Sequence, residues 1–430
     1  MVPSADSHPG RSPAPRNPFL IGVHAEGEHF CNRETEVDRI AAAFRDPGVR
    51  LLVYGDRRLG KSSALRVAAT RVRAEGHPVA VVDLAKASSA AAAAQRILAA
   101  VHDAVGRRWR DTATALLHRL RPGTFTVTGS LDAAGQPSVA FQLTPAVADD
   151  DPAVVTDVLD AVDAELGARG VTLGLALDEF QRLGVWYGAD VDWQLKELLE
   201  RHRHVGYVLA GSQRRLVEQM LANKRAGLWK VVDVLAMPPI APARLAGWLE
   251  ARAAAAGVLF ERGLAEAIVA LAGPRTRDVV QLARAVWDRE RGAGWAVPGA
   301  EADALEALVR EQSALYQREW DRLAQRAKRL LEVLAAAPDV RQLLSDETLK
   351  SYRLGAKSTV QSALKQLVED ELLVRTPDSP AGYAFDDPFF RRWVQVHAAA
   401  NLGRVAPPIG VGPAPAPEGP PTPEAPRTEG

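Results

Sequence analysis

From about residue 21 to residue 240 the chain alternates short apolar runs with stretches of helical periodicity. That alternation predicts an α/β fold built on a mostly parallel sheet. The predicted strands are 51–54, 79–84, 171–177, 205–210 and 231–236, all short and rich in Val and Leu. They are apolar at successive positions, as a sheet covered on both faces requires. A helix is predicted at 91–105, and after it 124–128 and 138–143 flank Ala134-Gly135-Gln136, which predicts an inserted β-hairpin. From about 241 the pattern turns helical, with segments at 244–255, 263–271 and 277–289 and Gly273-Pro274 punctuating the last two. A long helical stretch from 301 to about 336 leads into a compact unit ending near 396. The expected organisation is a core at 17–240, a helical lid at 241–298, and a linker helix with a terminal domain at 299–398. The Pro-rich segments 1–16 and 399–430 have few large apolar side chains and are expected to stay disordered.

The first predicted strand runs into Gly55-Asp56-Arg57-Arg58-Leu59-Gly60-Lys61-Ser62, a complete GxxxxGK[ST] phosphate loop, followed by Ser63. Its glycines allow a turn tight enough to aim successive backbone N–H groups at phosphate oxygens. The helix beginning near Lys61 adds the positive end of its dipole. Lys61 would place its charge between the β- and γ-phosphates, and the Ser62 hydroxyl would join the Mg2+ shell. The third predicted strand ends in Asp178-Glu179. In a phosphate-loop fold the first acid would hold Mg2+ through water, and the second would orient and deprotonate the attacking water. The fourth strand ends in Gly211-Ser212-Gln213. Ser212 has two readings, a polar group beside the acidic pair that senses the γ-phosphate, or an N-cap for a helix at 214–221. Arg214 and Arg215 follow, and Arg275 and Arg277 stand beside Gly273-Pro274. Each is a candidate for stabilising phosphate charge, against the plainer reading of a solvated helix arginine.

These residues resemble the STAND/AAA+-related P-loop ATPases of bacteria and archaea. The resemblance is carried by Phe30-Cys31-Asn32-Arg33-Glu34-Thr35-Glu36, by the loop with its two arginines, by Leu177-Asp178-Glu179-Phe180-Gln181 and by Ala210-Gly211-Ser212-Gln213. It implies that Phe30 and Arg33 lie near the adenine. The missing Asn-Lys-x-Asp guanine motif adds that the nucleotide is ATP. The end of the chain resembles the winged helix of the same group. Helices at 324–336 and 343–352, a third capped by Ser358, a wing from 372–376 and 383–385, and a closing segment from Asp386 to Trp393 carry that likeness.

Composition narrows the functions. Formal net charge is zero, which removes global basicity as an argument for nucleic acid or an anionic membrane. No apolar run is long enough to span a bilayer, no apolar signal core follows the N-terminus, and one cysteine, Cys31, fits a reducing cytoplasm. Residues 321–400 hold twelve Lys/Arg and eleven Asp/Glu, so the terminal domain is nearly neutral. Its third helix offers Lys357, Lys365, Ser358, Thr359 and Gln361 to DNA, while packing on the nucleotide domain is the competing role. Phe389, Phe390 and Trp393 have the spacing of a buried face. Trp186, Tyr187 and Trp193 either line a partner groove or anchor the helix at 191–200 to the sheet. The expectation is therefore an ATP- and Mg2+-dependent ATPase switch acting on an unidentified protein partner, with oligomerisation left open. The competitors are a DNA-binding ATPase of the initiator or transposition-helper type, and a scaffold that holds ATP without hydrolysing it.

Overall fold

The computed structural model describes residues 16–105, 116, 119–120, 125–131, 137–143, 151, 153–212, 217, 220–221, 226–337, 340–376 and 379–397. Most of both terminal segments, the wing-turn residues 377–378, and Gln213, Arg214 and Arg215 lie outside these residues. The chain forms two compact units: Pro18–Leu245 with Arg275–Arg277, and Ala246–Pro274 with the chain from Asp278 onward.

The first unit contains β1 (Arg50–Tyr54), β2 (Val79–Asp83), the antiparallel hairpin β3 (Phe125–Leu131) and β4 (Pro137–Leu143), then β5 (Leu173–Asp178), β6 (Val205–Gly211) and β7 (Asp233–Ala236). Five of these strands make one parallel sheet in the order β2-β5-β6-β1-β7. Alternate residues feed two separate cores. Leu173, Leu175 and Leu177 of β5, with Tyr207 and Leu209 of β6, face helices α3 (Ala90–Val105), Ala153–Ala168 and Val191–Arg201. Ala176, Val208 and Ala210 face α1 (Glu34–Arg45) and α2 (Lys61–Ala74). The α1 side is lined by small residues because the helix lies close. Register partners Gly174 and Gly206 both meet it, and a Cβ would fall 2.8 Å from the Phe44 Cβ and 2.4 Å from the Ala43 carbonyl, respectively. Trp186 and Tyr187 pack against the α3 side, whereas Trp193 is exposed with the Lys196 ammonium above its ring.

Across the core's far end, buried His202 links Tyr207 and Asp160, with both contacts at 2.7 Å. Arg50 donates to the His202 carbonyl at 2.8 Å.

The second unit carries the helix Leu264–Ala272, the helix Thr276–Glu290 from Asp278 onward, a two-residue parallel pair β8 (Leu259–Phe260) and β9 (Trp295–Ala296), and a terminal winged helix. The helical stretch expected from 301 to about 336 is two helices, Ala300–Arg322 and Gln325–Ala336, the second matching the first winged-helix helix expected at 324–336. Leu323 between them is extended (ψ 140°), which turns the chain into the winged helix without glycine or proline. The helix Asp346–Ser351 is capped by Ser345, whose Oγ accepts from Thr348 N at 3.2 Å. The expected cap at Ser358 is not used. That helix, Lys357–Glu369, begins one residue earlier with Ala356 as N-cap, and Ser358 lies inside it. β10 (Leu373–Arg375) and β11 (Tyr383–Phe385) pair antiparallel as the wing. The final helix, Pro388–His397, starts on Asp387, which accepts from the Phe389 and Phe390 N–H groups at 2.8 and 3.1 Å. Phe389, Phe390 and Trp393 are buried. Trp393 donates to Ser313 at 2.9 Å and Arg392 pairs with Glu306 at 2.6 Å, fastening this helix to Ala300–Arg322. No helix among the described residues is long and apolar enough to cross a membrane.

Candidate functional site

Parallel strands align their carboxyl ends, so residues that close successive strands converge. Register sets Asp178 opposite both Asp83 and Ala210, and Tyr54 opposite Gly211. The phosphate loop, the acidic pair and Ser212 therefore share one edge of the sheet. β6 lies between the loop strand β1 and the acidic strand β5, which seats Ser212 between the two motifs.

The loop leaves β1 where Met237 N donates to the Tyr54 carbonyl at 2.7 Å. A Cβ at Gly55 would stand 2.7 Å from the Met237 carbonyl oxygen, so this close crossing accepts only glycine without a backbone shift. Arg58 (φ 67°) and Gly60 (φ 94°) are left-handed, and α2 starts directly after them. Such successive turns fold backbone N–H groups toward one concavity, the geometry that receives an anion. Arg57 at the tip is exposed, Asp56 and Arg58 are half-buried, and Leu59 is buried.

Lys61 is buried and donates from Nζ to the Gly55 and Asp56 carbonyls, both at 2.7 Å. Burial lowers its pKa, opposed by the nearby Glu179 and Asp178 carboxylates. Ser62 hydrogen-bonds Asp178. Ser63 accepts from Ala25 N at 3.0 Å, tying the N-terminal segment to the loop's helix. Arg33 is also buried, and its guanidinium donates to Glu36 at 2.9 Å and to the Leu59 carbonyl at 3.1 Å. It thus props the loop from beneath. Phe30 is half-buried against the α1–α2 core.

Asp178 is buried at the end of β5, and burial raises its pKa. The Ser62 hydrogen bond pulls the other way, and the negative charges of Glu179 and Asp83 add to the rise. Its Oδ1 accepts from Glu179 N at 3.0 Å. Glu179 itself is half-buried with a left-handed backbone (φ 54°). Its Oε2 accepts from Ser212 Oγ at 2.7 Å and from Gln181 Nε2. The serine hydroxyl is thus turned toward the acidic pair in this structure. Arg275 is buried, and Arg277 N donates to the Arg58 carbonyl at 3.2 Å.

Sequence reasoning gave no role to Asp83 or Gln181, and it placed Arg33 near the adenine without its contact to the loop. Asp83 ends β2 in register with Asp178, a signal visible only once the strand order is known. Arg33 reaches Leu59, and Gln181 reaches Glu179; neither contact has a signature in spacing.

Ser62 and Asp178 are an oxygen-only pair, one hydroxyl and one carboxylate. That donor set suits Mg2+, which usually completes its octahedron with water and substrate phosphates rather than a protein cage. No group of three or more His, Cys, Asp or Glu able to hold a metal occurs among the described residues.

Comparison with known proteins agrees with this architecture. A family model described as a probable winged helix domain matches residues 314–396. No curated protein matches the chain. Among solved structures, the Walker-type ATPase of Pyrococcus abyssi is similar over 88% of this chain and 99% of its own, at 15% identity and a TM-score of 0.58. The ORC2 protein of Aeropyrum pernix, solved in ADPNP–ADP complexes, is similar over 90% of this chain and 97% of its own, at 17% identity and a TM-score of 0.51. The chain has the fold of an AAA+-like, Walker-type P-loop ATPase with a C-terminal winged-helix domain.

Proposed function

We propose that this chain binds ATP with Mg2+, hydrolyses it, and uses the nucleotide cycle as a conformational switch. The observation that supports the reading is the meeting of Lys61, Ser62, Asp178, Glu179 and Ser212 at adjoining strand ends, with backbone N–H groups of the loop at the start of α2. In this reading the triphosphate lies over the loop, and Lys61 exchanges its two carbonyl contacts for phosphate oxygens. Ser62 and Asp178 are the residues that would hold Mg2+, which supplies charge neutralisation on the phosphates. Glu179 takes the proton of the attacking water, and Ser212 orients that carboxylate. The switch reading draws on the Arg277 N–H bond to Arg58. It joins the loop backbone to Arg275–Arg277 within the same unit, so a loop that changes shape with its phosphates would be felt by that short segment.

A second reading, DNA binding, draws on the exposed Lys357, Ser358, Gln361 and Lys365 of the third winged-helix segment. Lys365 lies 3.7 Å from Glu369, which offsets part of the charge it could offer to phosphates. Steady-state ATP hydrolysis by the protein and its Glu179→Gln variant, with and without duplex DNA, tests these together. Turnover that needs Glu179 and ignores DNA is expected. Undiminished turnover in Glu179→Gln would overturn the base assignment, stimulation by DNA would promote the initiator-like reading, and bound ATP without turnover would leave a scaffold.

A further inference from the structure

Three observations around Glu179 converge on a residue with no assigned role. The first is conformational. Glu179 holds a left-handed backbone, φ 54°, without being glycine, which costs about 1 kcal/mol and persists only where surrounding contacts fix it. The second is where its contacts fall. Ser212 Oγ and Gln181 Nε2 both donate to Oε2, and Oε1 accepts from no described residue. The third is the setting of Gln181. The residue is 6% exposed, and its own Oε1 is buried without a donor. An unmet buried acceptor is destabilising by about 1–3 kcal/mol, so a buried amide in this state is held by what its other end does. That other end is the charge-assisted bond to Glu179.

The neighbouring strand is shaped to admit this amide. A Cβ at Gly211 would lie 2.9 Å from Gln181 Oε1 and 2.9 Å from Phe180 Cε1. The missing side chain at Gly211 thus leaves the space at the end of β6 that the glutamine amide occupies. The amide orientation follows from chemistry, since a flipped group would set its oxygen against the carboxylate.

We infer that Gln181 is the positioning residue for Glu179. With Ser212 it pins Oε2, and so presents Oε1 as the oxygen that takes the proton from water. The inference rests on the ATPase reading above and deepens it. A base with one oxygen fixed and the other free has a single direction of attack. A carboxylate released from one donor samples several, and misplacement of a reacting group by an ångström is enough to cost orders of magnitude in rate.

The test is single-turnover ATP hydrolysis, which reads the chemical step, in Gln181→Met, Ser212→Ala and the double variant. Gln181→Met keeps the length of the side chain and removes the donor. Rate at saturation, half-saturating ATP and melting temperature are measured for each. The expected result is an approximately tenfold lower saturating rate in Gln181→Met, with half-saturating ATP within about twofold of the original. The double variant should lose more than the product of the two single effects, because either donor alone still restrains the shared oxygen. An unchanged rate in a folded Gln181→Met protein overturns the inference. So does a rate loss matched by an equal rise in half-saturating ATP, or strict multiplicativity in the double variant. A faster rate would make the pair a restraint on Glu179 and overturn it too. Should Gln181→Met fail to fold, Gly211→Ala, which crowds the same amide from the opposite wall, must reproduce the rate loss. Glu179→Gln separates the two levels. If it hydrolyses normally the base reading falls, and if it is inactive while Gln181→Met matches the original, only the positioning role falls.

Discussion

Replacing Asp178 by Asn should stabilise the nucleotide-free protein and abolish its response to Mg2+-nucleotide. The carboxylate is only 6% exposed, and two further carboxylates, Glu179 and Asp83, lie close enough to push its pKa up. Asparagine keeps the shape and the oxygen that accepts from Glu179 N at 3.0 Å, but removes the buried charge. Against this stands the lost attraction to Lys61, whose pKa Asp178 raises. Burial is the largest influence on both groups, so relief from desolvation wins, and the gain should be about 1 kcal/mol. For a unit of this size that is a rise in Tm of about 2–4 °C. The pH dependence has a definite sign. A carboxyl whose folded pKa lies above its unfolded value destabilises the fold when ionised, and the penalty fades as pH falls through the raised pKa. The Tm advantage of Asp178→Asn should therefore shrink on acidification from neutral pH. Saturating Mg2+-ATP reverses the order, because at a hundredfold excess over Kd it stabilises a binding-competent protein by about 2.7 kcal/mol and the variant by far less. Differential scanning fluorimetry across pH, with and without Mg2+-ATP, reads all of this. A nucleotide-free Asp178→Asn that melts below the original would refute the burial argument. Equal protection of both proteins by Mg2+-ATP would refute the metal-holding role.

Arg33→Ala should cost about 1–3 kcal/mol and weaken nucleotide binding, since it strands the buried Leu59 carbonyl and unpairs the half-buried Glu36. Arg33→Lys should recover little, because one ammonium cannot reproduce the two-pronged contact; urea melts and nucleotide titrations check both. Gly55→Ala should lose about 1–3 kcal/mol through the clash with the Met237 carbonyl, visible in the same melts, and lower nucleotide affinity as the loop shifts. His202, held below its ordinary pKa of 6.5 by burial although Asp160 opposes the shift, should make stability fall as pH drops below 6.5. The unfolded chain takes up the proton first there, so the slope is at most about 1.4 kcal/mol per pH unit and should flatten in His202→Asn.

The sequence disclosed the parts of this molecule whose chemistry is local. A phosphate loop is one contiguous string from Gly55 to Ser62, and a strand that ends in Asp178-Glu179 announces itself by an apolar run meeting two charges. The small residues of β5 and β6 were read as strand, but their reason, the close approach of α1 to Gly174 and Gly206, is a tertiary fact. One helix start in the terminal domain departs from what its local chemistry suggests. Ser358 has the chemistry of a cap, yet the helix starts before it. Contacts that join distant segments, such as Arg33 to Leu59 or His202 to Asp160, leave no periodic trace.

The resting place of Lys61 has a consequence for selectivity among anions. Its ammonium is already satisfied by two carbonyls of its own loop, at 2.7 Å each. An incoming anion must first compete with that internal pair. A lone orthophosphate offers little beyond what it displaces, whereas a polyphosphate chain engages the lysine and the remaining backbone donors together. Under the proposed reading the loop should therefore favour linked phosphates over a single orthophosphate, with the lysine's own backbone carbonyls as the competitor.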